Sequence, residues 1–396
     1  MTLRILVTDG DQRPSLAVTR SLGRSGHVVH VAAPGRTSLA GRSRFAARTH
    51  RVPSPLEHPN EFIAAVDLVI TSERINLLIP NSEAALLALL PIRDRWPSVV
   101  VPFPEIEVFR RVSDKSELLE VARRLGIAVP NSVTFTAATD DPERAVRELR
   151  FPLVLKPSQT VRAAGEHLAK GPVVHVRDAE EFRRIWQTLP VESFPLLAQE
   201  RIVGPGTGVF LLRHDGVTRA TFAHRRLREK PPSGGVSVYA ESITADPALV
   251  TQAEALLACF EWQGVAMVEF KCDQATGTPY LMEVNGRFWG SLQLAIDAGV
   301  DFPKLLVDAV QGVAFAPPVY RPGARGRWFW GDIDHLVTRL RGSADSLHLP
   351  PGAPSLGTAA ANILLPWRSP GRNEIWRWND LGPAFYETGK WFRSLR

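Results

Sequence analysis

Three polar residues that could do chemistry lie two positions apart in one apolar segment, PYLMEVNGRFWGS (279–291): Glu283, Asn285 and Arg287. The apolar composition and the glycines of this segment predict a β-strand. Because successive side chains of a strand alternate between its two faces, all three would project from the same side. A carboxylate, an amide and a guanidinium would therefore stand in a row beside a hydrophobic core.

A second carboxylate is expected opposite the first. The segment VAMVEFKCD (265–273) predicts a neighbouring strand, joined to the first through a loop with Gly277 as its turn residue. If this hairpin is symmetric about Thr276, Glu269 lies directly across from Glu283, with Cβ atoms about 4.5–5.5 Å apart. Two carboxylates at that distance between apolar neighbours need either a cation between them or a bound proton.

The oxygen atoms of Glu269, Glu283 and Asn285 form a hard donor set, which suits Mg²⁺ or Mn²⁺ rather than Zn²⁺. Magnesium usually completes its coordination with water and with substrate phosphates, so this set implies a nucleotide. The alternative is an edge hairpin whose two glutamates face solvent. The pairing register, the apolar flanks and the position of Arg287 favour the metal site.

The first part of the chain, residues 1–112, is predicted to form a Rossmann-like α/β domain. A strand at RILVTDG (4–10), a helix over Ser15–Arg24 and a strand at GHVVHVAA (27–33) are typical of a parallel, doubly wound sheet. Further elements are predicted as strands at DLVI (67–70), NLLIP (76–80) and SVVVP (98–102), and as a helix at SEAALLALL (82–90) capped by Ser82. The first turn, TDGDQRPS, lacks the G-x-G-x-x-G pattern of dinucleotide-binding proteins.

Two lysines stand at the ends of predicted elements in the next segment, a central subdomain over residues 113–194. Lys115 opens a helix in SDKSELLEVARRLG (113–126), and Lys156 ends the strand FPLVLKPS (151–158), whose expected hairpin partner is HLAKGPVVHV (167–176). Only seven of the 47 basic residues are lysines, so a lysine at such a position is less likely to arise by chance, although Lys115 taken alone could equally be an ordinary residue of a helix N-terminus. An unpaired ammonium group at the end of an apolar strand costs several kcal/mol to bury, which favours a function for Lys156. A helix at 178–189 follows.

The segment over residues 195–316 is predicted to be a second subdomain that carries the metal site. Its predicted strands begin with PLLAQERIVG (195–204) and continue as GVFLLRHDG, TRATFAHRRLRE and GVSVYAESI. Helices are predicted at 246–261 and at 304–313, on either side of the hairpin with the two glutamates.

The C-terminal segment, residues 317–396, is rich in proline, glycine and arginine and holds six of the ten tryptophans. It could pack over the preceding domains, form a dimer interface or lie on a membrane surface. Frequent proline and glycine argue against one long amphipathic helix, so packing over the core is favoured. Asp332, Asp334 and His335 form neither a hydrolase dyad nor a complete metal-ligand set.

Composition excludes several classes of protein. The chain has 396 residues, 44% of them hydrophobic, which is enough for two or three domains. No segment approaches the roughly 20 apolar residues of a membrane span. The apolar run at the N-terminus is too short and too acidic for a secretory signal.

Two cysteines offer neither a disulfide framework nor a metal site, so we expect a cytoplasmic protein. The net charge of +6 is spread along the chain, which argues against nucleic-acid binding.

The strand MEVNGR, with Glu269 on the preceding strand, resembles the signature E-x-N-x-R of the ATP-grasp superfamily, which includes biotin carboxylase and D-alanine–D-alanine ligase. The resemblance spans about residues 1–315, includes GRFWGSLQLAIDAGVDFP, and is greatest to predicted ATP-dependent carboxylate–amine ligases. It implies a fold of mixed α/β and α+β class: an ATP-grasp fold with an N-terminal Rossmann-like pre-ATP-grasp domain, here followed by the Trp-rich C-terminal extension.

The resemblance also implies roles for individual residues. Glu269, Glu283 and Asn285 would bind two Mg²⁺ ions (or Mn²⁺) that bridge the phosphates of ATP, and Arg287 would stabilise an acyl phosphate. Lys115 and Lys156 would contact the phosphates, Lys156 also taking part in catalysis. The expected contacts of the rest of the nucleotide are Gln199, Glu200, Arg201, Ile202, Val203 and Gly208. Residues 199–203 would form the hinge, whose main-chain groups would hold most of the adenine.

One departure from the family pattern concerns the loop after the strand lysine. Many members carry a glycine-rich loop that covers the phosphates, whereas SQTVRAAGEHLAKG has only Gly165 and Gly171. If this loop covers the phosphates, it makes fewer contacts through backbone N–H groups, and Arg162 would supply charge instead.

The substrate contacts are expected on two surfaces. In HRRLREKPPSGG, His224, Arg226 and Arg228 would alternate along one strand face, and a carboxylate substrate suits a bidentate guanidinium. Arg226 is also expected to act in catalysis. The substrate set predicted from both surfaces is Arg226, Arg228, Ser233, Gly234, Gly235, Asn81, Ser82 and Glu83. A solvated edge strand with scattered arginines is the alternative for the first surface.

The second surface is expected in the N-terminal domain, because open α/β sheets bind ligands at the carboxyl ends of their strands. Asn81, Ser82 and Glu83 follow one predicted strand, and Asp9 and Gly10 end another. Glu241 is either a base for an attacking amine or an exposed strand end, and the second interpretation is favoured.

The resemblance therefore implies an ATP-dependent ligase that joins a small carboxylate to an amine and releases ADP and phosphate. Two alternatives remain: an enzyme that activates bicarbonate, and a regulator that binds ATP without turning it over. We expect small-molecule substrates and no nucleic-acid partner, and leave open a homodimer and a peripheral membrane contact of the C-terminal segment.

Overall fold

The structure is a computed structural model that describes residues 1–138, 141–165, 167–365 and 367–395. Its N-terminal domain is a parallel four-stranded sheet in the order β3-β2-β1-β4. The elements are β1 (Arg4–Val7), α1 (Arg13–Arg24), β2 (Val28–Ala33), β3 (Arg48–Arg51), α2 (Pro59–Glu73), β4 (Leu77–Ile79) and α3 (Glu83–Leu89). Short 3₁₀ turns lie at Ala40–Arg42 and Leu90–Arg95. The predicted β-α-β opening and the Ser82 cap, which accepts a hydrogen bond from the Ala85 amide, are confirmed.

Two strand predictions in this domain were wrong. DLVI (67–70) lies inside α2, where Val66, Val69 and Ile70 are buried at helical spacing, so a short apolar run was mistaken for a strand. SVVVP (98–102) contributes only an isolated bridge between Leu77 and Val100. The edge strand β3 was not predicted, because its sequence RTHR has no apolar residue.

A pair of helices leads into the central region. These are α4 (Ile106–Ser113) and α5 (Lys115–Arg124). Asp114 caps α5 by accepting hydrogen bonds from the amides of Ser116 and Glu117, at 2.9 and 3.3 Å. The predicted helix start at the Asp-Lys pair is therefore confirmed, and Lys115 is its first residue.

The central sheet is antiparallel, with four strands in the order β5-β10-β6-β9. Its elements are β5 (Ser132–Phe135), α6 (Pro142–Ala145), β6 (Leu153–Pro157), β9 (Val174–Val176), α7 (Ala179–Trp186), a 3₁₀ turn at Val191–Ser193 and β10 (Leu196–Glu200). A separate hairpin, β7 (Val161–Ala164) with β8 (His167–Lys170), projects from it. The predicted hairpin partner of β6, residues 167–176, is therefore split. Its last three residues pair with β6, whereas its first four pair with β7.

The largest sheet has seven strands in the order β15-β14-β11-β12-β13-β16-β17. Its elements, with the helices that follow them, are β11 (Gly206–His214), β12 (Val217–Lys230), β13 (Val236–Ser242), α8 (Pro247–Cys259), β14 (Gly264–Cys272), β15 (Pro279–Asn285), α9 (Leu292–Ala298) and α10 (Phe302–Val310). One continuous core joins this sheet to the N-terminal domain, through buried residues such as Leu16, Leu118, Val265 and Leu306.

The C-terminal segment is folded onto the rest of the chain. It comprises β16 (Arg325–Arg327), α11 (Phe329–Arg341), α12 (Leu356–Leu364), β17 (Arg372–Asn373) and α13 (Gly382–Ser394). β16 pairs antiparallel with β13 and parallel with β17, so these strands extend the large sheet. The C-terminal segment thus packs over the preceding domains, which was the favoured interpretation. Trp367, Trp376 and Trp378 nevertheless remain 74%, 44% and 94% exposed.

A buried ion pair fastens this segment to the N-terminal domain. Arg20 on α1 donates from Nε to Asp380 Oδ2 at 2.7 Å, and both side chains are 1% exposed. Its other nitrogens donate to the carbonyls of Glu374 and Ile375. Asp380 also accepts from Ser43 Oγ and from the amide of Arg44. No helix among the described residues has both the length and the apolarity required to cross a membrane.

Candidate active site

A cavity of about 910 Å³ lies where the large sheet, the central sheet, the N-terminal domain and the C-terminal segment meet. Each of the four contributes charged side chains to its walls, for example Glu269 from β14, Lys156 from β6, Arg13 from α1 and Glu387 from α13. The size is within the usual range for a ligand pocket.

The two glutamates of the hairpin face each other on the floor of this cavity. β14 and β15 pair antiparallel with Glu269 directly opposite Glu283, so the predicted register is confirmed. The ladder shifts by one residue immediately afterwards, between Glu269 and Phe270. The symmetry about Thr276 therefore holds at the glutamate pair but not along the remainder of the hairpin towards the turn.

Arg226 balances the charge of Glu269. Its Nη1 donates to Glu269 Oε1 at 2.7 Å and its Nη2 donates to Oε2, which forms a bidentate pair. Nη1 also contacts Glu229 Oε1 and the carbonyl of Gly235, both at 3.0 Å. Burial raises the pKa of Glu269 above its usual value, and Arg226 only partly offsets that effect. Arg226 reaches the predicted site, but its partner here is a protein carboxylate.

Glu283 is surrounded by groups that favour its ionised form. Asn285 Nδ2 donates to Glu283 Oε1 at 2.9 Å, and Lys115 Nζ lies 4.0 Å from Oε2. Burial alone would raise the pKa of Glu283, but Lys115, Lys156 and the Asn285 hydrogen bond together lower it. Glu269, Glu283 and Asn285 line the same cavity, and carboxylate and amide oxygens are the donors that a hard divalent cation prefers.

Lys115 and Lys156 approach the glutamates from the side of the central sheet. Lys115 is 6% exposed, and its Nζ donates to Thr160 Oγ1 at 2.8 Å. Lys156 is 7% exposed and lines the same cavity. Burial, together with the charge of Lys115, lowers the pKa of Lys156 to about 8. In a site this deep an anionic ligand is the natural partner for the two ammonium groups.

The pKa of Lys156 predicts a pH dependence of nucleotide binding. A lysine with a pKa of about 8 is charged at pH 7 and mostly neutral at pH 9. The affinity for Mg·ATP should therefore fall about tenfold between these values. Lys156→Arg keeps its charge over this range and should remove the dependence, whereas the exposed Lys304→Arg should not. Equilibrium binding at several pH values measures this, and a wild-type affinity that is constant from pH 7 to pH 9 would contradict it.

Arg287 lies between the main cavity and a second one of about 330 Å³ and lines both. The second cavity is formed at the carboxyl ends of the parallel strands of the N-terminal domain, where Asp9, Ser82 and Glu83 line it. Burial raises the pKa of both Asp9 and Glu83. Asp9 has a φ of 56°, in the left-handed region that a residue other than glycine occupies only when its surroundings hold it there.

Two other residues predicted for this surface lie elsewhere. Asn81 is fully buried and donates from Nδ2 to Ser15 Oγ at 3.0 Å, so it supports the strand end rather than lining the cavity. The backbone of Gly10 is committed to the N-terminal sheet, where its amide donates to the carbonyl of Ala32.

The hinge segment lines the end of the main cavity that adjoins the central sheet. Gln199, Glu200, Arg201 and Ile202 border it, but Val203 does not. The side chain of Glu200 accepts hydrogen bonds from the amide and guanidinium of Arg150 and is therefore occupied. Gln199 Nε2 is buried without an acceptor in the part of the chain that the structure describes. A buried donor of this kind is expected to find a partner in a ligand.

The hairpin β7–β8 forms one wall of the cavity. Thr160, Lys170 and Gly171 line the cavity. Arg162, the expected source of charge, instead donates from Nη1 to the carbonyl of Phe194 at 3.1 Å. Lys170 on β8 supplies a positive charge at this wall instead. It was not predicted, because only its pairing with Val161 in the hairpin brings it back towards β6.

Three further predicted residues do not reach the cavity. Arg228 pairs with the fully buried Asp332 of α11, at 2.6 Å, because the β12–β13 register shifts at Leu227 and ends the expected alternation. Gly208 lies within β11 between Glu269 and His224. Glu241 is only 8% exposed and is held between Arg225 and Arg325, so the favoured interpretation as an exposed strand end was wrong.

Of the other residues in the segment predicted to bind the substrate, some line the cavity and one is buried in the core. Ser233, Gly234 and Gly235 line the cavity, as expected of a loop that closes over a ligand. His224 is buried, with Nε2 at 3.0 Å from Ser291 Oγ, and burial lowers its pKa to about 3. It is therefore neutral at any pH at which the protein would be assayed.

Sequence reasoning missed the contribution of the C-terminal segment to the cavity. Trp328, Trp330, Asp334, Glu387 and Trp391 all line it. The number of tryptophans marked this segment as unusual, but one sequence does not show which surface they face.

Among the described residues, one cluster elsewhere has the composition of a metal site: His30 on β2, His50 on β3 and Glu73 at the end of α2. His30 Nδ1 lies 3.0 Å from His50 Nε2, with the two rings inclined by only 16°. This is the geometry of an imidazole–imidazole hydrogen bond, and Arg4 donates to the other nitrogen of His30. Arg48 pairs with Glu73. We interpret the cluster as a hydrogen-bonded network.

Comparison with known proteins relates the fold of this chain to that of several enzymes. Residues 192–329 match a family model described as "ATP-grasp in the biosynthetic pathway with Ter operon". A comparison with curated proteins found no match. Among solved structures, an L-amino acid ligase from Bacillus licheniformis is similar, with 16% identity, a TM-score of 0.61, and coverage of 82% of this chain and 78% of the ligase.

Two other solved structures show the same similarity. The N5-carboxyaminoimidazole synthetase from Staphylococcus aureus, complexed with ADP, has 13% identity and a TM-score of 0.62, with 80% of each chain covered. Biotin carboxylase from Campylobacter jejuni has 14% identity and a TM-score of 0.63, covering 82% of this chain and 74% of the carboxylase. At these identities the similarity concerns the fold.

Proposed function

The chain has the ATP-grasp fold, and from this premise we propose that it is an ATP-dependent carboxylate–amine ligase. In the first step, a carboxylate oxygen of the substrate attacks the γ-phosphorus of ATP. An O–P bond forms, the bond to the β-phosphate oxygen breaks, and ADP leaves. In the second step, the nitrogen of an amine attacks the acyl carbon. A C–N bond forms, the acyl C–O bond breaks, phosphate leaves, and the amine gives up a proton.

The observation that carries this proposal is the meeting of Glu269 and Glu283 with Lys115, Lys156 and Arg287 in one cavity. Phosphoryl transfer requires charge neutralisation and in-line positioning more than covalent help from the protein. Lys115 and Lys156 would hold the phosphates, and Arg287 would stabilise the charge of the transferred group. A binding protein without chemistry would need fewer of these groups.

Glu269, Glu283 and Asn285 would hold Mg²⁺ or Mn²⁺, two ions in all. Divalent ions held there would neutralise the phosphates of the nucleotide. Glu269 would then exchange its pairing with Arg226 for the metal. Arg226 would become available to the substrate carboxylate, for which a guanidinium is the best bidentate partner.

The second cavity is the proposed site of the amine. It adjoins Arg287, so an amine seated there would face the phosphate end of the main cavity. Asp9 and Glu83 are the groups that would attract an ammonium substrate and accept the proton it loses. Their raised pKa values support the second role, because a base works best when its pKa is near the working pH.

Hydroxylamine trapping tests this proposal without knowledge of the natural amine. The protein is incubated with ATP, Mg²⁺, hydroxylamine and pools of small carboxylic acids. We expect ADP, phosphate and a hydroxamate in equal amounts for at least one pool. AMP and pyrophosphate as products would refute the chemistry. Turnover that requires bicarbonate and yields no hydroxamate would indicate a bicarbonate-activating enzyme, and tight ATP binding without turnover would indicate a regulator.

A further inference from the structure

The end of the main cavity formed by the C-terminal segment differs chemically from the phosphate end. Its walls come from α11 and α13, together with Asp11 and Arg13 at the start of α1. The aromatic surface of these walls includes the indole rings of Trp328, Trp330 and Trp391. This end therefore offers aromatic surface where the other end offers lysines and a metal-ligand set.

The three indole rings are fixed in place by hydrogen bonds from their N–H groups. Trp328 Nε1 donates to Glu387 Oε1 at 2.6 Å, and Trp391 Nε1 donates to Asp334 Oδ1 at 2.7 Å. Trp330 Nε1 donates to Thr388 Oγ1 at 3.1 Å, and its ring stacks on Trp391 with centroids 4.1 Å apart. Rings held in this way lose little entropy when a ligand binds.

Charge is not balanced at this end. Three basic side chains that line this end or lie beside it each have a carboxylate partner: Arg13 with Glu374 at 2.5 Å, Lys390 with Asp11 at 3.4 Å, and Lys230 with Asp334. Glu387 is the fourth carboxylate, and it makes no ion pair with any residue that the structure describes. Its Oε2 is buried and has no hydrogen-bond donor among the same residues. A hydrogen-bond donor is therefore missing beside Glu387, and when its carboxylate is ionised a positive charge is missing as well.

An aromatic wall beside an unbalanced carboxylate is a site for a cation. Ring faces attract ammonium and guanidinium groups, and the Trp328 ring already does so with Arg13, whose guanidinium carbon lies 4.1 Å from its centroid. A triphosphate would be repelled by the same carboxylates. We propose that this end of the cavity is a subsite for a cationic substrate group, an ammonium or guanidinium on an apolar stem, with Glu387 as its counter-ion.

The inference of this subsite depends on the proposed ligase function in one respect: the molecule that occupies the subsite is taken to be a substrate of the ligase. It narrows the substrate class to molecules with a cationic, partly apolar part that extends away from the reacting carboxylate. It also gives the C-terminal segment a function, because residues on α11 and α13 would select the substrate of a site built by the rest of the chain.

The charged neighbours of Glu387 predict a pH dependence. Arg13 on α1, Glu374 after β17, Asp334 on α11 and the Trp328 N–H face it, and Lys390 follows it on α13. Burial is the largest effect, and the pKa of Glu387 is raised to about 7. Glu387 is thus mostly protonated at pH 6 and ionised at pH 8. Binding of a cation should therefore strengthen about tenfold from pH 6 to pH 8.

Calorimetric titration with 2-phenylethylamine and its neutral analogue 2-phenylethanol tests the subsite. At pH 8 we expect the amine to bind at least about tenfold more tightly than the alcohol, and this preference to shrink about tenfold at pH 6. Glu387→Gln should abolish both the preference and its pH dependence. The matched control Glu180→Gln, an exposed carboxylate on α7, should keep them. Equal binding of the two probes, or a preference that survives in Glu387→Gln, would overturn the proposal.

The outcome can be separated from that of the ligase proposal. Glu269→Gln should lose metal-dependent nucleotide binding but keep the amine preference, because Glu269 lies at the other end of the cavity. A protein that prefers the amine but forms no hydroxamate would retain the subsite and lose the ligase function. A protein that forms hydroxamates but binds both probes equally would retain the ligase function and lose the subsite.

Discussion

Replacing Glu283 by glutamine is expected to lower kcat for hydroxamate formation on the order of a thousandfold, the larger end of the effect of removing one preorganised charged group. The charge of Glu283 serves two purposes in our account: it holds a divalent ion, and it keeps Lys115 and Lys156 in place around the phosphates. The ionised carboxylate is the form that the surrounding lysines favour. Glutamine keeps the shape but loses the charge. Steady-state kinetics with the responsive acid pool measures the effect.

Two variants control this experiment. Glu283→Asp keeps the charge on a shorter stem and should retain more activity than Glu283→Gln. Glu192→Gln removes an exposed carboxylate from a 3₁₀ turn far from the cavity and should have wild-type kinetics. A Glu283→Gln protein that is folded and keeps kcat within about threefold of wild type would show that the pair plays no part in the chemistry.

Replacing Arg20 by methionine is expected to cost about 3–5 kcal/mol of stability, because it leaves Asp380 as an uncompensated buried charge. Both side chains are 1% exposed, and Arg20 spans from α1 to the loops around β17. The loss should appear first as release of the C-terminal segment. Thermal unfolding and limited proteolysis of the segment after β16 measure it.

Arg24→Met is the matched control, since Arg24 lies one turn further along the same helix and is exposed. It should change stability by no more than about 0.5 kcal/mol. The double variant Arg20→Met, Asp380→Leu should recover part of the loss, because it removes both charges. If the two single arginine variants unfold alike, the buried pair does not hold the segment in place.

The sequence predicted the parts of the site that depend on local pattern. Glu269 and Glu283 meet because a short hairpin loop fixes the register of two strands, and this register follows from counting residues from the turn. Lys115 follows a helix cap, Asp114, that is recognisable in the sequence. Lys156 ends an apolar strand. These residues required no knowledge of distant contacts.

The sequence did not predict features that arise from irregular strands. Arg228 was expected beside Arg226, but the register shift at Leu227 turns it towards Asp332. Such a bulge changes the direction of a side chain without a clear signal in one sequence. Likewise DLVI has the composition of a strand, and only its packing in α2 shows it to be helical.

The position of the C-terminal segment could not be derived from its own residues. Trp328 and Trp391 line the cavity because β16 and the Arg20–Asp380 pair bring α11 and α13 over the site. Both contacts join residues far apart in the chain. The aromatic content of the segment predicted burial against something, but not the ligand cavity as its location.

The most direct test of the central claim is a count of Mn²⁺ ions by electron paramagnetic resonance, in the presence of a non-hydrolysable ATP analogue. Our account predicts two ions bound per wild-type chain, and loss of at least one in Glu269→Gln and in Glu283→Gln. It also predicts that the analogue binds weakly without metal. An unchanged ion count in both variants, or equally tight binding of the analogue without metal, would show that the facing glutamates do not hold the ions.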